Sequence, residues 1–425
     1  MDIKSIIREQ RNELESIEKH ERIILREKLG EARADLKHPN ILVITGIRRC
    51  GKSIFSYLIE KDSKFAYINF DDERLSGMKG EELNKVLEAF YELYGDVEYV
   101  VFDEIQNIPH WELFINRMRR TKKVIITGSN SNLLSGELAT HLTGRYLDIR
   151  LFPFSFIEFL NLKKFKFEKI YTTQEKSILL NFLREYLENG GLPESYKFGK
   201  SIIMKLYDDI ITKDILLRHD INKIDELKKL AKYLITNSSE ELSYSKMANV
   251  LGVKHVSTIS NWVSYLEDSF LIFRLEKFDF KLKQQFMSSK KIYCIDTGIV
   301  NSIGFKFSEN KGKIIENAVA IELQRRKYSK GNLEVYYWKD AQNNEVDFIL
   351  KEEKNITQLI QVSHISIKEE IKNREINSLL KAKKEFGCKN LLVITWDYEA
   401  KEKFEYLGIE ESVVFIPLWK WLLSI

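Results

Sequence analysis

The three cysteines among 425 residues, Cys50, Cys294 and Cys388, show no paired spacing and form an odd set. That excludes a disulfide framework and a zinc finger, and points to a reducing compartment. Prolines number only five, and neither an internal repeat nor a low-complexity linker interrupts the chain. No stretch reaches the roughly 18 apolar residues that a membrane span needs. The opening MDIKSIIREQRNELES is charged throughout and lacks the apolar core of a signal peptide. A cytoplasmic protein with no membrane partner is the expectation. Charge of one sign is also missing: 67 basic and 63 acidic residues leave a net +4. That balance permits a basic patch without demanding a nucleic acid.

What is present is a globular composition, 44% hydrophobic and 31% charged. The chain is too long for one ordinary core, so roughly two to four domains are expected. Ile3, Ile7, Leu14, Ile17 and Ile24 make a helical stripe, read as an N-terminal amphipathic helix over 1–30 packed on its own protein. From residue 41 the texture changes. ILVIT (41–45), FAYINF (65–70), EYVVFDE (98–104), KVIITGS (123–129) and YLDIRLF (146–152) are apolar runs separated by helical stretches. Strands of that kind form a parallel sheet covered on both faces, here a domain over 31–160. Residues 161–225 read as a helical lid or linker containing the turn NGGLPE. Over 226–285 come three short helices and then SFLIFRLEKFDFKL, read as a hairpin. The last block, 286–425, mixes the helix KIIENAVAIELQRR with strands EVYYWK, EVDFILK, TQLIQVS and LLVITW.

Between the first strand and the helix after it stands GIRRCGKS, a match to G-x-x-x-x-G-K-S. Gly46 and Gly51 let the backbone turn its N–H groups, across Ile47, Arg48, Arg49 and Cys50, toward an anion. The helix opening near Gly51 adds its positive dipole end. Lys52 then reaches the β- and γ-phosphates, and the Ser53 hydroxyl sits on Mg²⁺. EYVVFDE narrows the choice among phosphate-loop proteins. Asp103, ending an apolar strand, can hold the Mg²⁺ through water, and Glu104 is suited to polarising an attacking water, which favours hydrolysis. Ser129 and Asn130 end a further strand at the same sheet edge, where either could meet the γ-phosphate or the water. Arg145 in HLTGRY is either a source of transition-state charge, in cis or from a neighbour in a homo-oligomer, or a plain surface arginine.

GIRRCGKS, YVVFDEIQNIPHWE, VIITGSNSNLL and LTGRYLDIRLFPFSFIEF together resemble a prokaryotic AAA-type ATPase family whose C-terminal domain is similar to PD-(D/E)xK nucleases. The resemblance covers most of the chain. It implies an α/β fold with strand order 5-1-4-3-2, ATP and Mg²⁺ as ligands, and Gly46, Gly51, Lys52 and Ser53 as the Walker A residues. Asp103 and Glu104 match Walker B, and Ser129 or Asn130 falls at the sensor position.

The 226–285 segment resembles a winged helix. Leu251-Gly252 makes the turn, and Lys254, His255, Ser257 and Thr258 stand at the start of the third helix. They would meet a major groove if this were a reading head, with Lys277, Lys281 and Lys283 on phosphate. Against that, Glu267 and Asp268 lie on the same helix, and winged helices in ATPases often only pack between domains. In the last domain Glu316, on a helix, and Asp347, in a hairpin, fall in the order of a nuclease metal site. The next strand should carry an acid-x-lysine triplet but has Gln361-Val362-Ser363. Glutamine offers a hard cation only a neutral oxygen, and no lysine steadies a hydroxide. His364 and Lys372 are substitutes that the sequence does not place. A retained nuclease-like fold with a damaged site is the reading. Three outputs follow: an ATPase acting on DNA, a nucleotide-gated switch for a protein partner, or an ATP-dependent nuclease, which the Gln361 and Ser363 departures weaken.

Overall fold

The computed structural model describes all residues except 1, 134–141, 143, 169–170, 306–310, 407 and 425. Leu134, His141 and Thr143 of the motifs quoted above therefore lie outside the described residues. The chain divides into two compact units. The first comprises Met1–Phe154, Asn161–Phe165 and Asp268–Phe270, and the second comprises the remainder.

In the first unit, β1 (Ile41–Thr45), β2 (Phe65–Asn69), β3 (Tyr99–Asp103), β4 (Lys123–Gly128) and β5 (Tyr146–Arg150) form one sheet. Its order is β2-β3-β4-β1-β5 and every pairing is parallel, as the sequence led one to expect. The cause is visible in β1, whose five positions are all buried because helices cover both faces. Phe102 of β3 sits in the middle of the core, with the rings of Phe70, Phe90 and Phe114 at 6.3, 6.1 and 5.8 Å. Ile6 and Ile7 of the N-terminal helix Ile3–His20 join the same cluster. Asp2 caps that helix by accepting from the N–H groups of Lys4 and Ser5. It is shorter than the apolar stripe suggested. The backbone turns extended at Glu21, so Ile24 is buried beyond the helix end. The coil that follows is held by Arg26, whose guanidinium donates to the carbonyls of Cys50 and Phe152.

The second unit carries two sheets. β6 (Glu240–Leu242), β7 (Ile272–Leu275) and β8 (Lys290–Cys294) pair antiparallel in the order β6-β8-β7. SFLIFRLEKFDFKL thus supplies only the first arm of the expected hairpin. The return strand is β8, past the short helix Leu282–Met287, so this sheet runs through the boundary drawn at 285. The reason lies in Phe278, which leaves the hairpin to pack edge-on against Tyr336 and Phe386. The larger sheet has β9 (Leu333–Lys339), β10 (Glu345–Glu352), β11 (Asn355–Val362), β12 (Leu391–Thr395), β13 (Ala400–Tyr406) and β14 (Ile409–Pro417). Its order is β13-β14-β12-β11-β10-β9, mixed parallel and antiparallel. β13, AKEKFEY, alternates exposed and half-buried positions and offers no apolar run to read.

Phe102→Ala removes the ring on which three others converge. It should cost the first unit about 3–5 kcal/mol, measured as a lower urea midpoint of that unit's unfolding transition.

Candidate functional site

β1 ends at Thr45 and the loop begins with a glycine for a steric reason. A Cβ on Gly46 would lie 2.2 Å from the carbonyl oxygen of Leu151. Gly51, at φ 95°, occupies the left-handed region and hands the chain to the helix Lys52–Glu60. The loop is tied from outside by Arg26 on the Cys50 carbonyl at 2.9 Å. Lys52 is buried and folds back over the loop, donating to the carbonyls of Gly46 and Ile47 at 3.1 and 3.4 Å. It also lies 3.2 Å from Glu104 Oε1.

Asp103 and Glu104 are adjacent, buried and held quite differently. The Asp103 carboxylate accepts from Tyr67 Oη at 2.6 Å, from Thr127 Oγ1 and from the Ser53 hydroxyl. Burial and the neighbouring Glu104 charge push its pKa up. Glu104 sits at φ 52°, with its N–H donated to Thr127 Oγ1 at 3.0 Å. Its Oε2 accepts from the Ser129 N–H at 3.2 Å and from the Gln106 amide. Burial alone would raise the Glu104 pKa, but the Lys52 ammonium and the Arg48 guanidinium hold it below the usual carboxylate range. A serine hydroxyl beside a carboxylate is an oxygen pair that hard divalent cations accept, so Ser53 and Asp103 fit Mg²⁺.

The structure therefore brings the loop residues Gly46–Ser53 together with Asp103, Glu104 and Ser129. Asn130, also buried, follows at the end of the same strand. It does not bring Arg145 there. That residue precedes β5 at the end where Tyr146 pairs with Ile41, the far end of β1 from the loop. It is exposed, 3.4 Å from Asn116 Oδ1, and about 16 Å of strand separates it from the loop. Tyr67, Thr127 and Arg26 were not singled out from the sequence. Lone hydroxyls within apolar strands were the available signal for the first two.

A second cluster lies in the second unit. Glu316, on the helix Lys311–Lys330, and Asp347, on β10, do converge, but on a lysine from β8. Lys291 Nζ is 3.0 Å from Glu316, 2.6 Å from Glu345 and 3.4 Å from Asp347. Burial works against its charge, yet these carboxylates and Tyr293 keep its pKa well above the ordinary lysine value. Neither expected substitute is there. Lys372 is exposed and paired with Glu375 at 3.1 Å, while His364 is exposed and stacks on Trp396. Among the described residues no group of three His, Cys, Asp or Glu side chains is arranged to hold a metal. At the start of the helix Val256–Asp268, Lys254, His255 and Ser257 are exposed; Thr258 is partly buried.

Comparison with known proteins adds the family. The model described as an AAA domain matches residues 38–160, and two domains of unknown function match 180–310 and 311–421. An uncharacterized protein of Methanocaldococcus jannaschii is 39% identical over 404 residues, covering 91% of this chain and 89% of its own. Another, from Haemophilus influenzae, is 30% identical over 400 residues, covering 89% and 94%. Among solved structures, a Walker-type ATPase of Pyrococcus abyssi is 15% identical with a TM-score of 0.44, covering 66% of this chain and 96% of its own. AMPPCP-bound DnaA from Aquifex aeolicus is 17% identical with a TM-score of 0.27, covering 58% and 89%. With the loop, the paired acids and the strand order already in place, the chain belongs to a prokaryotic family of AAA-type P-loop ATPases.

Proposed function

We propose that the chain binds ATP with Mg²⁺, hydrolyses it, and uses the turnover to act on DNA through the modules of its second unit. The observation that carries the hydrolytic reading is the Lys52–Glu104 pair at 3.2 Å, set beside Asp103. Loop N–H groups and the start of the helix Lys52–Glu60 take the phosphates. Ser53 and Asp103 would hold the Mg²⁺, whose charge would offset that of the transferring phosphoryl group. A γ-phosphate entering the loop competes with Glu104 for the Lys52 ammonium. A carboxylate that gives up its cation becomes more basic, so Glu104 is released to take a proton from the attacking water. The water oxygen then adds to the γ-phosphorus as ADP leaves. The Ser129 N–H keeps the carboxylate aimed, and Asn130 orients water or phosphate. Arg145 has no part in its own chain's site. Its use would be to a neighbour in a homo-oligomer.

DNA is favoured by the second unit. Helices Ile224–Thr236, Tyr244–Val250 and Val256–Asp268, with a β6-β8-β7 sheet, follow the winged-helix pattern. The exposed Lys254, His255 and Ser257 would face a major groove, with Lys281 and Lys283 of the β7–β8 connection on phosphate. The nuclease-like sheet is read as a non-cleaving module, because Gln361 and Ser363 stand where a carboxylate and a lysine are expected. A nucleotide-gated switch for a protein partner is the second reading. Phe280, Leu282, Phe286 and Met287 of the same connection are 67–73% exposed, an apolar surface that a protein would cover.

Lys52→Ala should abolish ATP binding by calorimetry in a chain that still melts cooperatively, since the loop loses its ammonium. Unchanged affinity would remove the phosphate-loop assignment. Glu104→Gln should bind ATP at least as well as wild type, because Lys52 no longer pairs with a carboxylate, and hydrolyse it about 10²–10⁴-fold more slowly. Single-turnover rates within about threefold of wild type would send the search for a base elsewhere. The steady-state ATPase rate should rise with single- or double-stranded DNA, and the rise should fade with added salt. A rate indifferent to both favours the protein-partner reading.

A further inference from the structure

Three strands and a helix of the second unit each turn polar side chains into one buried place. On β8, Lys291 and Tyr293 are two residues apart and so share a face, and both reach Glu316, with Tyr293 Oη 2.8 Å from its Oε1. On β10, Glu345 and Asp347 both reach the same Lys291 ammonium, at 2.6 and 3.4 Å. On β11, continuing the antiparallel ladder one step past the Phe348–Ile360 pair sets Gln361 against Asp347. Directly opposed residues stand about 4.5–5.5 Å apart at Cβ on one face. The Val362 N–H confirms the proximity, donating to Asp347 Oδ2 at 2.9 Å.

Gln361 is 7% exposed, and among the described residues its Oε1 has no hydrogen-bond partner; the same holds for the Ser363 hydroxyl, 3% exposed. A buried acceptor lacking a donor is costly unless a cation or a donor meets it. Three carboxyl groups converge on the Lys291 ammonium, and Lys339 is 3.5 Å from Glu345 while also bonded to Glu241. The oxygens of Glu316, Asp347 and Gln361 are the donor set of a hard divalent ion. The ammonium lies within 3.4 Å of both acids, where an ion shared between them would lie.

We propose that Lys291 is the resident cation of a pocket otherwise laid out for a divalent metal ion, and that metal enters only where the lysine is removed or withdrawn. The pocket as it stands does not fit a metal, because its central position is taken by a group the chain itself supplies. Withdrawal needs more than a side-chain swing into water. Lys291 is 3% exposed, and β8 is paired on both edges, to β6 and to β7.

The test is Mn²⁺ calorimetry with melting curves on the full-length protein, without nucleotide. Wild type and Asp347→Asn should give the same titration, any binding at Ser53 and Asp103 being common to both. Lys291→Met should melt lower than wild type and gain one Mn²⁺ per chain, with its melting temperature recovering as Mn²⁺ is added. That gain should be lost in Lys291→Met combined with Asp347→Asn, and weakened when Gln361→Leu is added instead. If Lys291→Met folds only in Mn²⁺, the latent site is supported. If it stays unfolded with Mn²⁺ present, or folds without gaining an equivalent, the proposal is overturned. Asp347-dependent Mn²⁺ binding by wild type would equally overturn it, since the lysine would then be no barrier.

Discussion

One buried ammonium organises the first unit's site. Lys52 faces Glu104 at 3.2 Å and two loop carbonyls at 3.1 and 3.4 Å, so loop, helix and the end of β3 share a single counterion. Two carboxylates side by side in a low-dielectric interior repel, and only a nearby cation lets one of them stay ionised. Here that one is Glu104, while Asp103 is compensated by the hydroxyls of Tyr67, Thr127 and Ser53. The division of labour between the acids follows from who their neighbours are. The strand order sets those neighbours, since β3 lies between β2, which carries Tyr67, and β4, which carries Thr127.

The same arithmetic recurs in the second unit with a different outcome. Lys291 also faces clustered carboxylates, but its acids come from a helix and a different sheet. In the first unit the lysine opens a helix and folds back over a loop of glycine turns and backbone N–H groups, so an anion can compete for it. In the second it sits in the middle strand of a three-stranded sheet, and the ligand that would compete is a cation.

The phosphate loop was legible because its chemistry is local: eight consecutive residues carry the turn, the dipole and the charge. The parallel sheet was legible because fully buried strands are continuous apolar runs. Arg145 was legible as a surface arginine as well as a source of charge, because it directly precedes YLDIRLF and so stands at the N-terminal end of a parallel strand, five residues from the edge that carries the loop. Lys291 went unread for a related reason. KKIYC reads as a strand with a solvated start, and nothing in the local pattern says that Glu316 and Glu345 will be brought against it. Tyr293 two residues on was the faint signal, a second polar tip on the same face. The β7–β8 pairing was missed because the aromatic run after β7 looks like strand but packs as a satellite of the larger sheet.

A counterion bonded to its own backbone has properties that a dissolved one lacks. Lys291 cannot be chelated, diluted or exchanged for a competing ion, and its presence beside Glu316 and Asp347 does not vary with the mineral content of the surroundings. A domain neutralised in that way keeps its shape through changes in ion supply that would empty a true metal centre. Its architecture has been separated from the cell's inorganic chemistry.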